Sequence, residues 1–278
     1  MGRLDGKVAF ISGVARGQGR SHAVRLAQEG ADIVGVDLCA DVGSVGYGMA
    51  TPDDLAETAR LVEAHGRRMI ATRADVRDSA AMAAAVDDGV RQLGRLDIVL
   101  ANAGVASFAP AEEMSDAMWD EMIDINLSGV FRTVRPAIPH LKANADGGAI
   151  VLTSSTGGLK GLANIAHYCA AKHGLAGLMK TLAIELAPHR IRVNIVAPTN
   201  VDTRMIQNES TYALFFPDRD FADVTPEEAA PAFATLNLLD VGWVDPSDVT
   251  EAVLYLVADS GRFVTGVELP VDAGMLAR

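Results

Sequence analysis

An α/β fold is expected: one doubly wound parallel sheet of about seven strands with helices on both faces. Three observations predict it. Short runs rich in Val and Ile recur without strict alternation, the pattern of strands buried on both faces. Helical patterns separate these runs, as right-handed βαβ crossovers require. A glycine-rich turn follows the first run at once and opens a helix, the arrangement of a Rossmann-like nucleotide-binding domain.

Residues 7–12 form the first expected strand, 31–37 the second, 68–74 the third and 96–101 the fourth. Residues 149–154 and 192–197 supply the fifth and sixth, and 266–271 the last. No repeat, low-complexity tract or linker divides the chain, so residues 1–278 read as a single domain. Two segments break the rhythm. Residues 38–51 begin at Leu38, carry Gly43, Gly46 and Gly48, and precede a helix opening at Pro52-Asp53-Asp54. Loops of this kind usually hold ~2–6 residues, so this one contains an insertion. Residues 199–243 contain Met205, Phe215, Phe216, Phe221 and Phe233, broken by Pro217, Pro226 and Pro231. That composition predicts a partly helical lid whose apolar side chains either meet an apolar substrate or pack among themselves.

Bulk composition narrows the function. Hydrophobic residues make up 49% and aromatics 5%, which suits closely packed helices on a buried sheet. A net charge of −12 argues against a general nucleic-acid or anionic-membrane binder, because counterion release needs a basic face. Cys39 and Cys169 are the only cysteines, too few for a disulfide framework and consistent with a reducing compartment. The start shows no charged-then-apolar signal pattern and no stretch is long and apolar enough to cross a bilayer, so a cytoplasmic protein is expected.

The turn Gly13-Val14-Ala15-Arg16-Gly17-Gln18-Gly19 joins the first strand to its helix. Glycines there let the backbone turn sharply, approach a pyrophosphate and aim helix amides at its charge. Taken alone such a triplet is only a tight turn; its position between strand and helix makes it a cradle. Asp37 ends the second strand about 20 residues further on, where an acid accepts hydrogen bonds from ribose hydroxyls. Its charge would repel a 2′-phosphate and so selects NAD, whereas Arg16 beside the second glycine would welcome one. Asp75-Val76 closes the third strand, placed to hold an adenine, and Asn102-Ala103-Gly104 closes the fourth, with Gly104 letting the chain pass a ribose. All lie at carboxyl ends of strands, where open α/β sheets bind ligands.

Downstream, Tyr168 and Lys172 stand at i, i+4 on one helix face, after the strand-end pair Ser154-Ser155. A tyrosine titrates near ~10, so a neighbouring ammonium is expected to stabilise its anion at neutral pH. Tyr168 would then take the proton of an alcohol while nicotinamide takes the hydride, with Ser155 binding the substrate oxygen. Lys172 would also hold the nicotinamide ribose. A Tyr-x3-Lys pair by itself is an ordinary helical pair; the cradle upstream gives it meaning. Ser154 lies out of phase with Ser155. His140, His167 and His173 form no ligand set and no Gly-x-Ser-x-Gly elbow surrounds Ser155, so metal and Ser-His chemistry are set aside.

Together these residues resemble the short-chain dehydrogenase/reductase family over essentially the whole chain. The glycine turn, Asp75, Asn102-Ala103-Gly104, Ser155, Tyr168-x3-Lys172 and Val193-Asn194-Ile195-Val196-Ala197-Pro198 all match its pattern. The resemblance implies a catalytic tetrad of Asn126, Ser155, Tyr168 and Lys172, with Asn126 bending its helix around a proton-relay water. It also implies a cofactor edge at Pro198, Val201 and Thr203, and a homotetramer. Ala101 and Thr199 depart from the pattern, the latter replacing a glycine on the nicotinamide side. Residues 13–22, the insertion and residues 197–203 further resemble an actinobacterial, carveol-dehydrogenase-like subfamily associated with the redox peptide mycofactocin. That likeness implies that 38–51 folds over the adenosine end of NAD and that an external carrier, such as a redox peptide, reoxidises the cofactor in place. The expected substrate is a small, apolar secondary alcohol or ketone. An NADP-linked carbonyl reductase and a non-catalytic nucleotide-sensing protein are the alternatives left open.

Overall fold

Seven parallel strands form one sheet in the order β3-β2-β1-β4-β5-β6-β7 in the computed structural model, which describes residues 2–216 and 224–278. The strands are β1 Val8–Ser12, β2 Asp32–Asp37, β3 Met69–Arg73 and β4 Ile98–Ala101. β5 Gly148–Thr153, β6 Ile191–Pro198 and β7 Glu268–Val271 complete the sheet. Each expected strand is present, its ends moved by a residue or two. β1 pairs with β2 on one side and β4 on the other, so the winding reverses there and a crevice opens beyond the strands' carboxyl ends.

The larger helices are α1 Gly17–Gln28, α2 Pro52–Glu63, α3 Ser79–Leu93, α4 Asp116–Ile123, α5 Gly129–Val134 and α6 Ile138–Lys142. α7 Ala166–Leu186, α8 Glu209–Tyr212, α9 Pro226–Ala234 and α10 Pro246–Val257 follow. Their ends are written in local chemistry. Thr51 and Asp54 form a capping box at α2, with Pro52 in its first turn. Asp78 caps α3 at its start and Gly94, at φ +88°, ends it in the left-handed conformation.

Alternate residues of β1 serve different layers. Val8 and Phe10 join the core beneath α3, α5 and α7; Ala9 and Ile11 join the one beneath α1 and α10. All four are buried, so the strand is apolar throughout rather than alternating. Full burial of a side chain such as Phe10 contributes about 1.5–3 kcal/mol.

The expected lid is partly helical, in α8 and α9, while Pro217 and Phe221 lie outside the described residues. Its aromatic residues build a small core of their own. Tyr212, Val224, Ala229 and Phe233 are buried together, with Phe215 and Trp243 against them and ring centres of Phe215 and Phe233 4.2 Å apart. Phe233 therefore reflects packing, because a ring enclosed by its own segment offers no face to a substrate.

Gly35, in the middle of β2, shows how closely the glycine turn presses on the sheet. A Cβ there would stand 2.8 Å from Val14 Cγ1 and 2.6 Å from Met69 Cε. Gly35→Val should therefore lower stability by about 1–3 kcal/mol through overpacking; an unchanged urea midpoint would show that the turn yields freely.

Candidate active site

The glycine turn is held from three sides. Val36 O accepts from Gly13 N and Val14 N at 2.8 and 3.2 Å, and Asn102 Nδ2 donates to Ser12 O and Gly13 O at 3.1 and 3.2 Å. Gly13 and Gly17 adopt φ of +68° and +54°. A Cβ on Gly19 would lie 2.0 Å from Gly13 O, so close approach demands glycine there. Asp37 Oδ2 accepts from Ala15 N at 3.0 Å and Oδ1 from Cys39 N at 3.1 Å, so the carboxylate braces the turn that it borders.

A cavity of about 340 Å³ opens above this cradle. Gly13, Arg16, Gly17, Gln18, Gly19, Asp37, Leu38, Asp75, Val76, Asn102, Ala103, Gly104 and Thr203 all line it. Gln18 Oε1 is buried there with no hydrogen-bond partner among the described residues, an unused acceptor. Crowding that excludes any Cβ, helix amides at Gly17 and the strand-end acid fit a dinucleotide. Pro198 and Val201 do not line the cavity. Pro198 ends β6, and Val201 joins the hydrophobic core and forms a parallel bridge with Val244, so its side chain is spent on packing.

One acid and one cation of the cavity wall are already engaged by neighbouring residues. Both oxygens of Asp75 accept from Arg77, at 2.7–3.1 Å, so the carboxylate is engaged before any adenine arrives. Arg16 is no mobile surface group. Its Nη1 donates to Gly48 O at 2.6 Å, its Nη2 approaches Met49 Sδ at 3.8 Å, and its guanidinium stands 6.0 Å from the Tyr47 ring centre. Burial lowers its pKa.

Those contacts belong to the insertion, which is fastened at several points and buries Cys39, Val42, Tyr47 and Ala50. Ser44 N donates to Glu121 Oε2 at 2.8 Å, and Glu121 Oε1 accepts from Arg77 at 3.1 Å. Tyr47 Oη accepts from Ala106 N at 3.2 Å. Burial, opposed by that amide and Arg16 and assisted by the nearby phenol of Tyr168, pushes the Tyr47 pKa up to about 12. The insertion thus extends past the adenosine end toward Tyr168. Sequence reasoning passed over Tyr47; a lone aromatic among the glycines of a long β–α loop was the available signal.

The chemical centre forms where β5 hands over to α7. Ser155 Oγ accepts from Gly157 N at 3.1 Å and lies near enough to the Tyr168 phenol to favour its anion. Lys172, 3% exposed, donates from Nζ to Thr153 O at 2.8 Å and stands 5.5 Å from the Tyr168 ring centre. Burial lowers the lysine pKa from its ordinary 10.5 to about 8. Burial also raises that of Tyr168, with Ser155 opposing. Burial thus moves both groups toward their neutral forms. Ser154, out of phase as expected, donates to Lys172 O at 3.2 Å and supports the same helix.

Asn126 is fully buried and does interrupt its helix, in a π turn over Asp124–Ser128 between α4 and α5. Its amide is engaged with one backbone residue: Oδ1 accepts from Val105 N at 3.1 Å and Nδ2 donates to Val105 O at 3.0 Å. Gly104 links the parts. A Cβ there would meet Asn126 Oδ1 at 2.6 Å and Lys172 Nζ at 3.5 Å, so its missing side chain keeps the amide and the amine adjacent.

Other polar groups are structural. His140 Nε2 pairs with Asp87, His173 Nδ1 with Cys169 O, and both cysteines are buried and free. Among the described residues no group of His, Cys, Asp or Glu could hold a metal ion, and no helix is long and apolar enough to cross a membrane. Another groove, of about 360 Å³, is connected to the centre through Ser107, whose Oγ lies 3.0 Å from Nε2 of His167, the neighbour of Tyr168; Ser44 and Gly46 of the insertion, Phe108, Ala109, Pro110, Asn164, and Ser210, Ala213 and Leu214 of the lid complete its walls.

This fold and site define a family. The short chain dehydrogenase family matches residues 7–213, and the chain belongs to it. A (-)-trans-carveol dehydrogenase of Rhodococcus erythropolis is 53% identical over 275 residues, covering 99% of each chain. A carveol dehydrogenase of Mycobacterium avium, solved in complex with NAD, is 54% identical with a TM-score of 0.98 over 100% of both chains. A short chain dehydrogenase of Mycobacterium paratuberculosis bound to NAD is 41% identical with a TM-score of 0.91, again over 100% of both.

Lys172 binds its proton less tightly when folded, so between about pH 8 and 10.5 the unfolded chain holds more protons at this site. The stability of the native chain relative to Lys172→Met should rise with pH across that window and stay flat below it. Chemical denaturation of both proteins as a function of pH checks the sign. Gly19→Val should remove nucleotide binding in calorimetry without unfolding the sheet, as its side chain would occupy the turn.

Proposed function

We propose that the protein is an NAD-dependent dehydrogenase that transfers a hydride between a small, apolar secondary alcohol or ketone and nicotinamide. One observation carries this reading: Tyr168 stands beside Ser155 and Lys172, and Lys172 borders Gly104 in the wall of the cavity that the glycine turn and Asp37 also line. When bound, NAD supplies the hydride acceptor. Gly13, Gly17 and Gly19 would seat its pyrophosphate, and Asp37 its adenosine ribose, where a carboxylate disfavours a 2′-phosphate. Backbone at Pro198 and Val201, with Thr203, would border the nicotinamide.

In the oxidative direction Tyr168 Oη accepts the alcohol proton, while the Ser155 hydroxyl holds the same substrate oxygen. The positive charge of oxidised nicotinamide and that of Lys172 would offset the burial that keeps the phenol protonated in the chain alone. Asn126 holds the backbone at Val105, next to Gly104, which borders Lys172. An apolar substrate is supported by Phe108, Ala109, Pro110, Ala213 and Leu214 in the neighbouring groove rather than by the lid's aromatic core. Two relatives named as carveol dehydrogenases support an alcohol substrate.

Retention of NAD is part of the proposal. The insertion is tied down through Ser44, Tyr47 and Gly48, which supports slow exchange and reoxidation in place by an external carrier such as a redox peptide. Ala170 is exposed and a Cβ on Gly177 would meet open space, which supports close approach of another subunit in the homotetramer.

Tyr168→Phe should cut turnover about 10²–10⁴-fold with NAD binding retained; unchanged turnover would defeat the assignment. Denatured, freshly purified protein should release NAD by mass spectrometry. Release of NADP, or recovery of empty protein that exchanges NAD freely, would count against the cofactor and its retention respectively. Asp37→Ala should weaken NAD and strengthen NADP in equilibrium binding.

A further inference from the structure

The backbone amide of Tyr168 lies in the first turn of α7, where amides have no partner inside the helix. Ile165, at the N-cap, supplies no side-chain acceptor. The partner comes instead from the preceding residue: Tyr168 N donates to His167 Nδ1 at 2.9 Å. An Nδ1 that accepts leaves the ring proton of the neutral imidazole on Nε2, and Nε2 stands 3.0 Å from Ser107 Oγ. His167 is fully buried and Ser107 is 5% exposed, so neither contact competes with water. Burial, opposed by the backbone of Ile165, lowers the His167 pKa, in keeping with a neutral ring.

Ser107 belongs to a short segment gripped one residue at a time. Val105 is held by Asn126, Ala106 by Tyr47 of the insertion, and Ser107 by His167. We propose that His167 and Ser107 form a positioning pair that fixes the catalytic tyrosine by its backbone and ties it to the wall of the substrate groove. The inference rests on the reading of Tyr168 as the base. The phenol's place depends on a helix end that would otherwise fray, and the imidazole converts that end into a fixed point. The serine then fixes the imidazole. Neither residue touches the reacting atoms.

Two readouts test the pair on the full-length protein. The first is amide hydrogen exchange across the first turn of α7. Exchange at Tyr168 should quicken in His167→Phe and in Ser107→Ala, and remain native in Ser107→Thr, which keeps the hydroxyl. The second is steady-state oxidation of carveol with NAD. In the first two variants kcat should fall about 10- to 100-fold with NAD affinity unchanged, as slight misplacement of a reacting group does, and Ser107→Thr should restore it. Should His167→Phe fail to fold, Ser107→Ala, which leaves the ring in place, decides alone. Native exchange at Tyr168 in Ser107→Ala overturns the proposal, as does a loss that Ser107→Thr fails to restore. Tyr168→Phe runs alongside: turnover surviving in that variant rejects the base itself, whereas its loss with fully active Ser107→Ala rejects only the pair.

Discussion

A single buried contact, the ammonium of Lys172 on the carbonyl of Thr153, orders the rest of the chemical centre. A cation removed from water is costly, and here one backbone oxygen at the end of β5 holds it. That oxygen fixes where α7 meets the sheet. The helix in turn presents Tyr168 one turn earlier, beside Ser155, which leaves the same strand. Gly104 and Asn126 close the opposite side without adding a second charge. The lowered lysine pKa is the mark of this economy: burial acts on an amine whose partner is a neutral carbonyl and not a carboxylate.

Much of this is legible in the sequence. Strand runs of Val and Ile, the turn from Gly13 to Gly19, and the spacing of Tyr168 and Lys172 are local signals, each fixed by backbone geometry that a few neighbouring residues impose. The turn's glycines and the i, i+4 pair stand where that geometry requires. What stayed hidden depends on partners far along the chain. Arg77 claims Asp75 and also Glu121, which in turn receives Ser44; nothing in the spacing of those residues announces the network. Tyr47 reaches Ala106 across a long separation, and Arg16 turns from solvent into the insertion. Between the two outcomes left open for the lid's aromatic residues, the sequence could not choose, since Phe233 could be counted but not assigned to its own small core.

The insertion changes the meaning of the cofactor groove. In a minimal crossover the strand-end acid would face open solvent across the ribose. Here Leu38, Val42, Tyr47 and Met49 roof the same cavity, while Ser44 and Gly46 wall the apolar groove next to it. One segment therefore shapes both compartments, and its fastening to Glu121 and Ala106 makes it a continuous part of the site rather than an ornament on it.

The π turn between α4 and α5 carries a consequence for how this chain can vary. Such a turn holds one more residue than an α-helical one, so everything after it is rotated by about 100° relative to an uninterrupted helix. That extra residue lets α4 seat Met122 in the core, Asn126 face Val105, and Gly129 lie against Val76. Shortening the segment by one position would restore regular winding and cost the molecule its phase: either the amide or the glycine would point correctly, never both. Insertions and deletions here are therefore constrained by angle, and relatives can trade residues along this helix far more easily than they can change its length.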